Sequence, residues 1–216
     1  MKESEINVML VDDHHIVRQG MGMLINSQPD MNVSHDADNV ADAVTILKQY
    51  GSEIDIALID ISLNGSSGFE LLKSIRIHQP QLPTLVISMH DEILYAERAI
   101  HSGANGYIMK QEASETVISS IRAIMQGELA VSDTIKQRLK TSDANASTIL
   151  IDKLTASEIE VLLLLGQGKT TSDIAKNNNR SIKTIEAHRA NIRRKLELPD
   201  GNALLMFAIQ MQTKVI

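Results

Sequence analysis

The sequence predicts a two-part molecule: an α/β half built on a five-stranded parallel sheet with helices on both faces, then a small all-α half of four helices. Three observations carry this. Residues 1–127 alternate short apolar runs with helical patterns five times over. Residues 141–152 are small and polar for most of their length, as a connecting segment is. Beyond 153 only helical patterns remain, and their boundaries carry capping residues and glycines. At 216 residues the chain is long enough for two ordinary domains. The boundaries that follow are 1–127 for the α/β part, 128–152 for a linker with a candidate helix over 127–140, and 153–216 for the helical part.

Taken in order, 6–11 is apolar and β-prone and reads as a strand, followed by a helix over 14–27. The weaker run 32–35 is a second strand and 40–50 a helix. The strand 54–59 is stronger and precedes a helix over 68–78; 83–88 is a strand and 93–101 a helix; 106–109 is a strand and 113–125 a helix. The near-continuous apolar runs after Ile54 and Pro83 fit strands covered on both faces. In the second part Thr155 and Glu158 form a capping box that opens a helix to Leu165, ended by Gly166 and Gly168. A short helix over 171–176 stops at the asparagines 177–179. Ser181 caps a longer helix over 182–196, Pro199-Asp200-Gly201 breaks it, and a last helix covers 202–211.

Composition removes several classes of function. With 43% hydrophobic and 22% charged residues the chain is neither disordered nor collagen-like. There is no cysteine, so disulfide scaffolds, thiolate metal sites and cysteine nucleophiles are excluded. No apolar run approaches the roughly 18 to 20 residues of a membrane span, and the charged start, Met1-Lys2-Glu3-Ser4-Glu5, is unlike a signal peptide. A cytoplasmic protein with no membrane partner is therefore expected. Only 2% of residues are aromatic and none is Trp, which disfavours recognition by base stacking. The net charge of −6 conceals an asymmetry: residues 1–140 hold 11 basic and 19 acidic side chains, residues 141–216 hold 10 and 8. Between 180 and 195 six basic residues face one acid, Glu186, which marks a local polyanion site.

Chemistry in an open parallel sheet gathers beyond the carboxyl ends of its strands. Those ends carry Asp12 and Asp13 after the first strand, Asp60 after the third, Ser88 at the fourth and Lys110 after the fifth. Clustered carboxylates repel unless a cation sits among them, and an all-oxygen donor set favours a hard one, Mg²⁺. Asp60, followed by the turn-prone 61–65, is the candidate nucleophile toward a phosphoryl group. The pair His14-His15 beside the acids suggests a metal cluster only weakly, since adjacent histidines rarely point together. Gly166-Gln167-Gly168-Lys169-Thr170 imitates a phosphate-binding loop, but no glycine stands at Leu163 and no strand precedes it. The ten methionines are expected to fill the core.

Val11-Asp12-Asp13-His14, Asp60 with Gly65 and Gly68, Ser88-Met89-His90-Asp91-Glu92 and the run from Gly103 to Lys110 resemble the receiver domain of bacterial response regulators. Leu154-Thr155, Glu158, Val161-Leu162, Gly168, Ile174-Ala175, Ser181, Lys183-Thr184-Ile185, His188, Asn191-Ile192 and Lys195-Leu196 resemble the LuxR-type DNA-binding domain of the NarL/FixJ branch. The resemblance implies a flavodoxin-like, doubly wound receiver and a helix-turn-helix domain. It implies that Asp60 accepts a phosphoryl group from a sensor histidine kinase or a small donor. Asp12, Asp13 and Asp60 would hold Mg²⁺ with the backbone carbonyl of Ser62, Lys110 and Ser88 would contact the phosphoryl group, and Tyr107 would rotate inward as a switch. Asn64 and Gln111 depart from the family pattern where proline is common. Promoter DNA, a second copy of the chain and, as a candidate, RNA polymerase are the implied partners. Enzymatic turnover beyond the receiver's own phosphoryl transfer and hydrolysis is not.

On a helical wheel Ile182, Ile185, Ile192 and Leu196 share one face, expected to be core. Lys183, Ala187, Ala190 and Arg194 lie opposite, flanked by Glu186 and Asn191; the alanines let a helix approach a major groove while the cations reach bases or phosphates. Thr184 and His188 complete the candidate DNA contacts, His188 being packed or phosphate-bonding rather than a metal ligand. Arg189, Arg193 and Lys195 point sideways, toward phosphates. Leu204, Leu205 and Ala208 of the last helix are the expected dimer surface. Two other readings compete. One is a constitutive DNA binder whose first domain only dimerises or senses a ligand. The other is an Asp-nucleophile phosphatase of the haloacid-dehalogenase kind, against which Ser62 stands where a second Asp is needed.

Overall fold

A computed structural model describes residues 5–63, 66–112, 114–141 and 153–215. Asn64 and nearly all of the polar segment 141–152 lie outside the described residues. The chain divides into two compact units, Met1–Thr141 and Ser142–Ile216.

The first unit holds strands β1 (Ile6–Val11), β2 (Met31–Ala37), β3 (Ile56–Ile59), β4 (Ser62–Leu63), β5 (Ser66–Ser67), β6 (Thr84–Ser88) and β7 (Gly106–Met109). Its helices are α1 (His15–Asn26), α2 (Val40–Tyr50), α3 (Gly68–His78), α4 (Glu92–His101), α5 (Ser114–Met125) and α6 (Asp133–Thr141). Five strands make one parallel sheet in the order β2-β1-β3-β6-β7, with β4 and β5 pairing separately as a small antiparallel ribbon. The order reverses around β1 and β3, whose registered pairs run from Val8 with Ile56 to Val11 with Ile59. That crevice is where open sheets of this kind bind ligands.

Burial explains the apolar runs. Every residue of β3 and β6 is buried. Val8, Leu10, Ile56, Leu58, Leu85, Ile87 and Ile108 pack with Ile25 of α1 and with Val117, Ile118, Ile121 and Ile124 of α5. The alternate residues Met9, Val11, Ala57, Ile59 and Val86 are buried as well, so the opposite face is also covered. Asn39, Ser67 and Asp91 cap α2, α3 and α4 by accepting backbone N–H groups of Asp42, Phe69 and Ile93. Not all methionines are filler: Met9 and Met31 are core, whereas Met23, Met89 and Met206 are exposed.

The segment 128–141, expected as part of a linker, packs into the first unit instead. Ala130 bridges the outer side of β7 at Gly106. Its carbonyl accepts the Tyr107 N–H at 2.8 Å, and its own N–H donates to Asn105 O at 3.0 Å. From α6, Ile135 is fully buried and Arg138 Nε meets Glu97 Oε1 of α4 at 2.6 Å. The helix expected over 127–140 forms from Asp133 onward, and ahead of it Ala130 is an edge partner of β7.

Among its described residues the second unit has four helices, α7 (Ala156–Gly166), α8 (Thr171–Asn177), α9 (Ile182–Lys195) and α10 (Gly201–Val215). Leu154, Ile159, Leu162, Leu165, Ile174, Ile185, Ile192, Leu196, Leu204 and Ala208 form its core. Thr155 and Glu158 make the expected capping box, and Thr170 with Asp173 make a second. Gly168, at φ +76°, turns the chain between α7 and α8, so the glycine-lysine run is a helix junction and not a phosphate loop. Ile182 is 51% exposed, contrary to the core position expected of it, because it opens α9 ahead of the turn that packs.

Candidate metal centre and nucleic-acid interface

Asp12 and Asp13 follow β1, and Asp60 follows β3, whose residues pair with those of β1. The carboxylates therefore meet across adjacent strand ends. Asp12, Asp13, Asp60 and His14 each offer one ligand atom, all within 4.8 Å of one another. Lys110, whose side chain is 8% exposed, reaches in after β7 and places Nζ 2.6 Å from Asp12 Oδ2 and 2.7 Å from Asp60 Oδ2. One ammonium against three carboxylates leaves negative charge to attract a cation. Burial pushes the Asp60 carboxyl above its usual range, and the Lys110 hydrogen bond opposes that. Burial works against the Lys110 ammonium, yet hydrogen bonds to Asp12 and Asp60 outweigh it and hold the amine above its ordinary value.

The site is braced from outside. Arg18 Nη1 donates to Asp12 O at 2.7 Å while its Nε pairs with Asp36 at 2.6 Å. The His14 N–H donates to Asp12 Oδ1 at 2.8 Å. Gly68 is required: a Cβ there would lie 2.2 Å from Asp60 O, so the start of α3 can close on this loop only without a side chain. Asp60 Oδ1 accepts a long 3.3 Å bond from the Ser62 N–H. Ser62 Oγ lies 2.8 Å from His90 Nε2. Ser88 is fully buried, and its Oγ accepts the His90 N–H at 3.1 Å. Tyr107 is buried with its O–H donating to His90 O at 2.7 Å, and burial raises its phenol.

A divalent hard cation fits the donor set. Asp13 Oδ1 is buried and accepts no hydrogen bond among the described residues; His14 Nδ1 sits 2.7 Å away without hydrogen-bonding geometry. An orphaned carboxylate oxygen beside two further carboxylates is what oxygen-ligated Mg²⁺ uses. His14 is the member that sequence reasoning set aside. The doubled histidine drew attention to a pair, whereas only His14 joins the acids.

On α9 the structure exposes Lys183, Glu186, Ala187, Ala190 and Arg194, and leaves Thr184, His188 and Asn191 half-buried, with Ile185 and Ile192 buried opposite. The eight candidate contacts therefore lie on or beside one open face. The flanking cations, expected to face phosphates, also have partners inside their own unit. Arg189 hydrogen-bonds Thr171 Oγ1, Arg193 Nη2 donates to Pro199 O at 3.1 Å, and Lys195 Nζ pairs with buried Glu158 Oε2 at 2.6 Å. These three are committed to the fold of their own unit. On α10, Leu204 and Ala208 are core rather than surface, and Leu205, Met206 and Ile209 are exposed. No helix among the described residues is long and apolar enough to cross a membrane.

Comparison with known proteins finds a family match for each of the two parts of the chain. Residues 8–122 match the response regulator receiver domain, and residues 152–208 match the bacterial regulatory proteins of the luxR family. The oxygen regulatory protein NreC of Staphylococcus carnosus is 29% identical over 213 residues, spanning 95% of this chain and 97% of that protein. The transcriptional regulatory protein LiaR of Bacillus subtilis is 30% identical over 209 residues, spanning 94% and 96%. Among solved structures, RcsB from Salmonella enterica serovar Typhimurium bound to promoter rprA in the presence of the phosphomimetic BeF3− is similar at TM-score 0.59. It is 26% identical, with 95% of this chain and 98% of that chain covered. A two-component response regulator of the LuxR family from Aurantimonas sp. has TM-score 0.58 and 32% identity, over 64% of this chain and 97% of its own.

Proposed function

Since the chain belongs to the response-regulator family, with a receiver domain followed by a LuxR-type DNA-binding domain, we propose that Asp60 is the position a sensor histidine kinase phosphorylates and α9 the element that reads promoter DNA. The family is one of phosphorylation-dependent transcription regulators rather than classical enzymes. The observation that carries the Asp60 assignment is the Lys110 ammonium joining Asp60 to Asp12 at the strand ends.

An Asp60 carboxylate oxygen attacks the phosphorus of a phosphohistidine or acyl phosphate; the new C–O–P link forms as the bond to the donor breaks, and the leaving imidazole or carboxylate takes the electron pair. Mg²⁺, held by Asp12, Asp13 and Asp60 with the Ser62 carbonyl, would offset charge on the phosphoryl oxygens. Lys110 pairs with those oxygens from the other side. Ser88 hydrogen-bonds one of them, and Tyr107 reports the change to the surrounding loop. Lys183, Thr184, Glu186, Ala187, His188, Ala190, Asn191 and Arg194 meet the major groove, the alanines allowing close approach. One recognition helix per chain makes a dimer the DNA-binding form, with exposed Leu205, Met206 and Ile209 of α10 as its apolar surface. RNA polymerase is a further partner in this reading, and the cytoplasm its location.

Incubation with radiolabelled acetyl phosphate and Mg²⁺ tests the assignment. The wild-type chain should take up label and folded Asp60→Asn should not; equal labelling of the variant would overturn it.

A further inference from the structure

We infer that residues 130–138 are a strap whose hold on β7 and α4 depends on the state of Asp60, so that phosphorylation is read out as loosening of the segment that leads to the DNA-binding unit. This rests on Asp60 as phosphoacceptor and adds the route by which its state leaves the site.

The route runs through one loop. Ser88 ends β6, and its Oγ accepts the His90 N–H at 3.1 Å. Two residues on, His90 O accepts the Tyr107 hydroxyl at 2.7 Å, and the His90 ring stacks on Tyr95 with centroids 4.5 Å apart. Asp91 then caps α4, and its neighbour Glu92 accepts the Ser132 hydroxyl at 3.0 Å. Glu97, farther along α4, holds Arg138 at 2.6 Å. The loop between β6 and α4 thus fixes the Ser88 hydroxyl, the Tyr107 hydroxyl and the α4 end of the strap together.

Tyr107 closes the circuit. Its phenol is tied to that loop and its backbone N–H to Ala130 O, so one residue touches both the switch and the strap. Gly106 beside it has no room for a side chain, since a Cβ would stand 2.7 Å from Ala130 O and 2.9 Å from Ala130 Cβ. Ile59 pairs with Val86, so Asp60 lies level with the end of β6, one residue short of Ser88. A rotation that carries the Ser88 hydroxyl to an oxygen borne by Asp60 takes the acceptor away from the His90 N–H. His90 O and Glu92 move with the loop, and both ends of the strap lose partners at once. Among the described residues the strap is held to β7 and α4 by the backbone bonds of Ala130, the Ser132–Glu92 contact, the Arg138–Glu97 ion pair and buried Ile135, local contacts of the kind that a local charge event shifts.

Hydrogen exchange on the full chain, with and without beryllium fluoride and Mg²⁺, tests this. The Tyr107 and Ala130 amides should exchange about tenfold faster with the mimic, while the Leu58 amide in the sheet centre should not change. Arg138→Ala should speed exchange at the same two amides by about two- to fivefold without the mimic, the scale of one half-exposed ion pair. Glu97→Gln should reproduce that effect, and neither variant should alter acetyl-phosphate labelling. Normal labelling with unaltered exchange at Tyr107 and Ala130 would overturn the strap alone. Absence of wild-type labelling would overturn the phosphoacceptor reading and the strap with it.

Discussion

Lys195→Met removes a cation whose position on a basic helix invites a DNA contact but whose partner in the structure is a carboxylate. Lys195 Nζ lies 2.6 Å from Glu158 Oε2; the Glu158 side chain is 3% exposed and that of Lys195 is 26%. Exposed pairs contribute about 0.2–1 kcal/mol, while breaking a buried one costs about 3–5 kcal/mol. This pair is buried at one end and open at the other, and Glu158 keeps the Thr155 N–H at 2.7 Å after the change. The expected loss is therefore about 2 kcal/mol, which lowers the melting temperature of a unit this small by about 10 °C. Denaturant unfolding measures it directly. Glu158→Gln should cost a similar amount, and the double variant less than the sum of the two. DNA binding supplies the second measurement. A lost phosphate contact lowers the slope of log K against log salt by about 0.9, whereas a lost brace leaves the slope alone once the folded fraction is corrected for. Wild-type stability in Lys195→Met together with a slope reduced by about 0.9 would refute the brace.

Lys183→Ala and Arg194→Ala should show the reverse: unfolding midpoints near wild type, and salt slopes each lower by about 0.9, measured by fluorescence anisotropy on a bound promoter fragment. Gly68→Ala drives a Cβ into Asp60 O, which should cost about 1–3 kcal/mol in thermal unfolding and slow acetyl-phosphate labelling; normal values of both would contradict the close packing. Arg122 holds the Asp30 carboxyl below its usual 3.8, chiefly by a hydrogen bond. Folded, Asp30 binds fewer protons than unfolded in the window beneath 3.8, so its contribution is complete above that pH and is lost as pH falls through the lower folded value. Arg122→Gln should flatten the acid limb of a stability profile, and an unchanged limb would count against the pair.

Local signals made most of the fold legible. The limits of α2 and α3 follow from Asn39 and Ser67, whose side chains satisfy the first N–H groups, and from the apolar spacing behind them. The meeting of Asp12, Asp13, Asp60 and Lys110 was readable because strand ends of a parallel sheet converge. What stayed hidden depends on neighbours distant in sequence. β2 extends over Met31–Ala37 because β1 offers partners as far as Val11, not because 31–37 is apolar. The seat of Ala130 against Gly106 and Asn105, like the pairing of Lys195 with Glu158, is set by approach across the fold. The exposed Ile182 and the buried Leu204 and Ala208 show the same limit, since a wheel gives a helix its faces but not which neighbour each one meets. Arg18 carried no signal beyond its charge, although it anchors the Asp12 carbonyl.

The bridge at residue 130 bears on where this chain can be cut. Unpaired strand edges are templates for adding another chain, and proteins shield them with charge, bulges or cover. The sheet has two margins. β2 carries Asn32, Ser34, His35 and Asp36, a polar strip that discourages self-pairing. β7 reads Gly-Tyr-Ile-Met and depends on Ala130 for its shield. A fragment ending at 127, the boundary suggested by composition, would leave that apolar margin bare and precipitate; one ending at 141 would keep its cover and stay in solution.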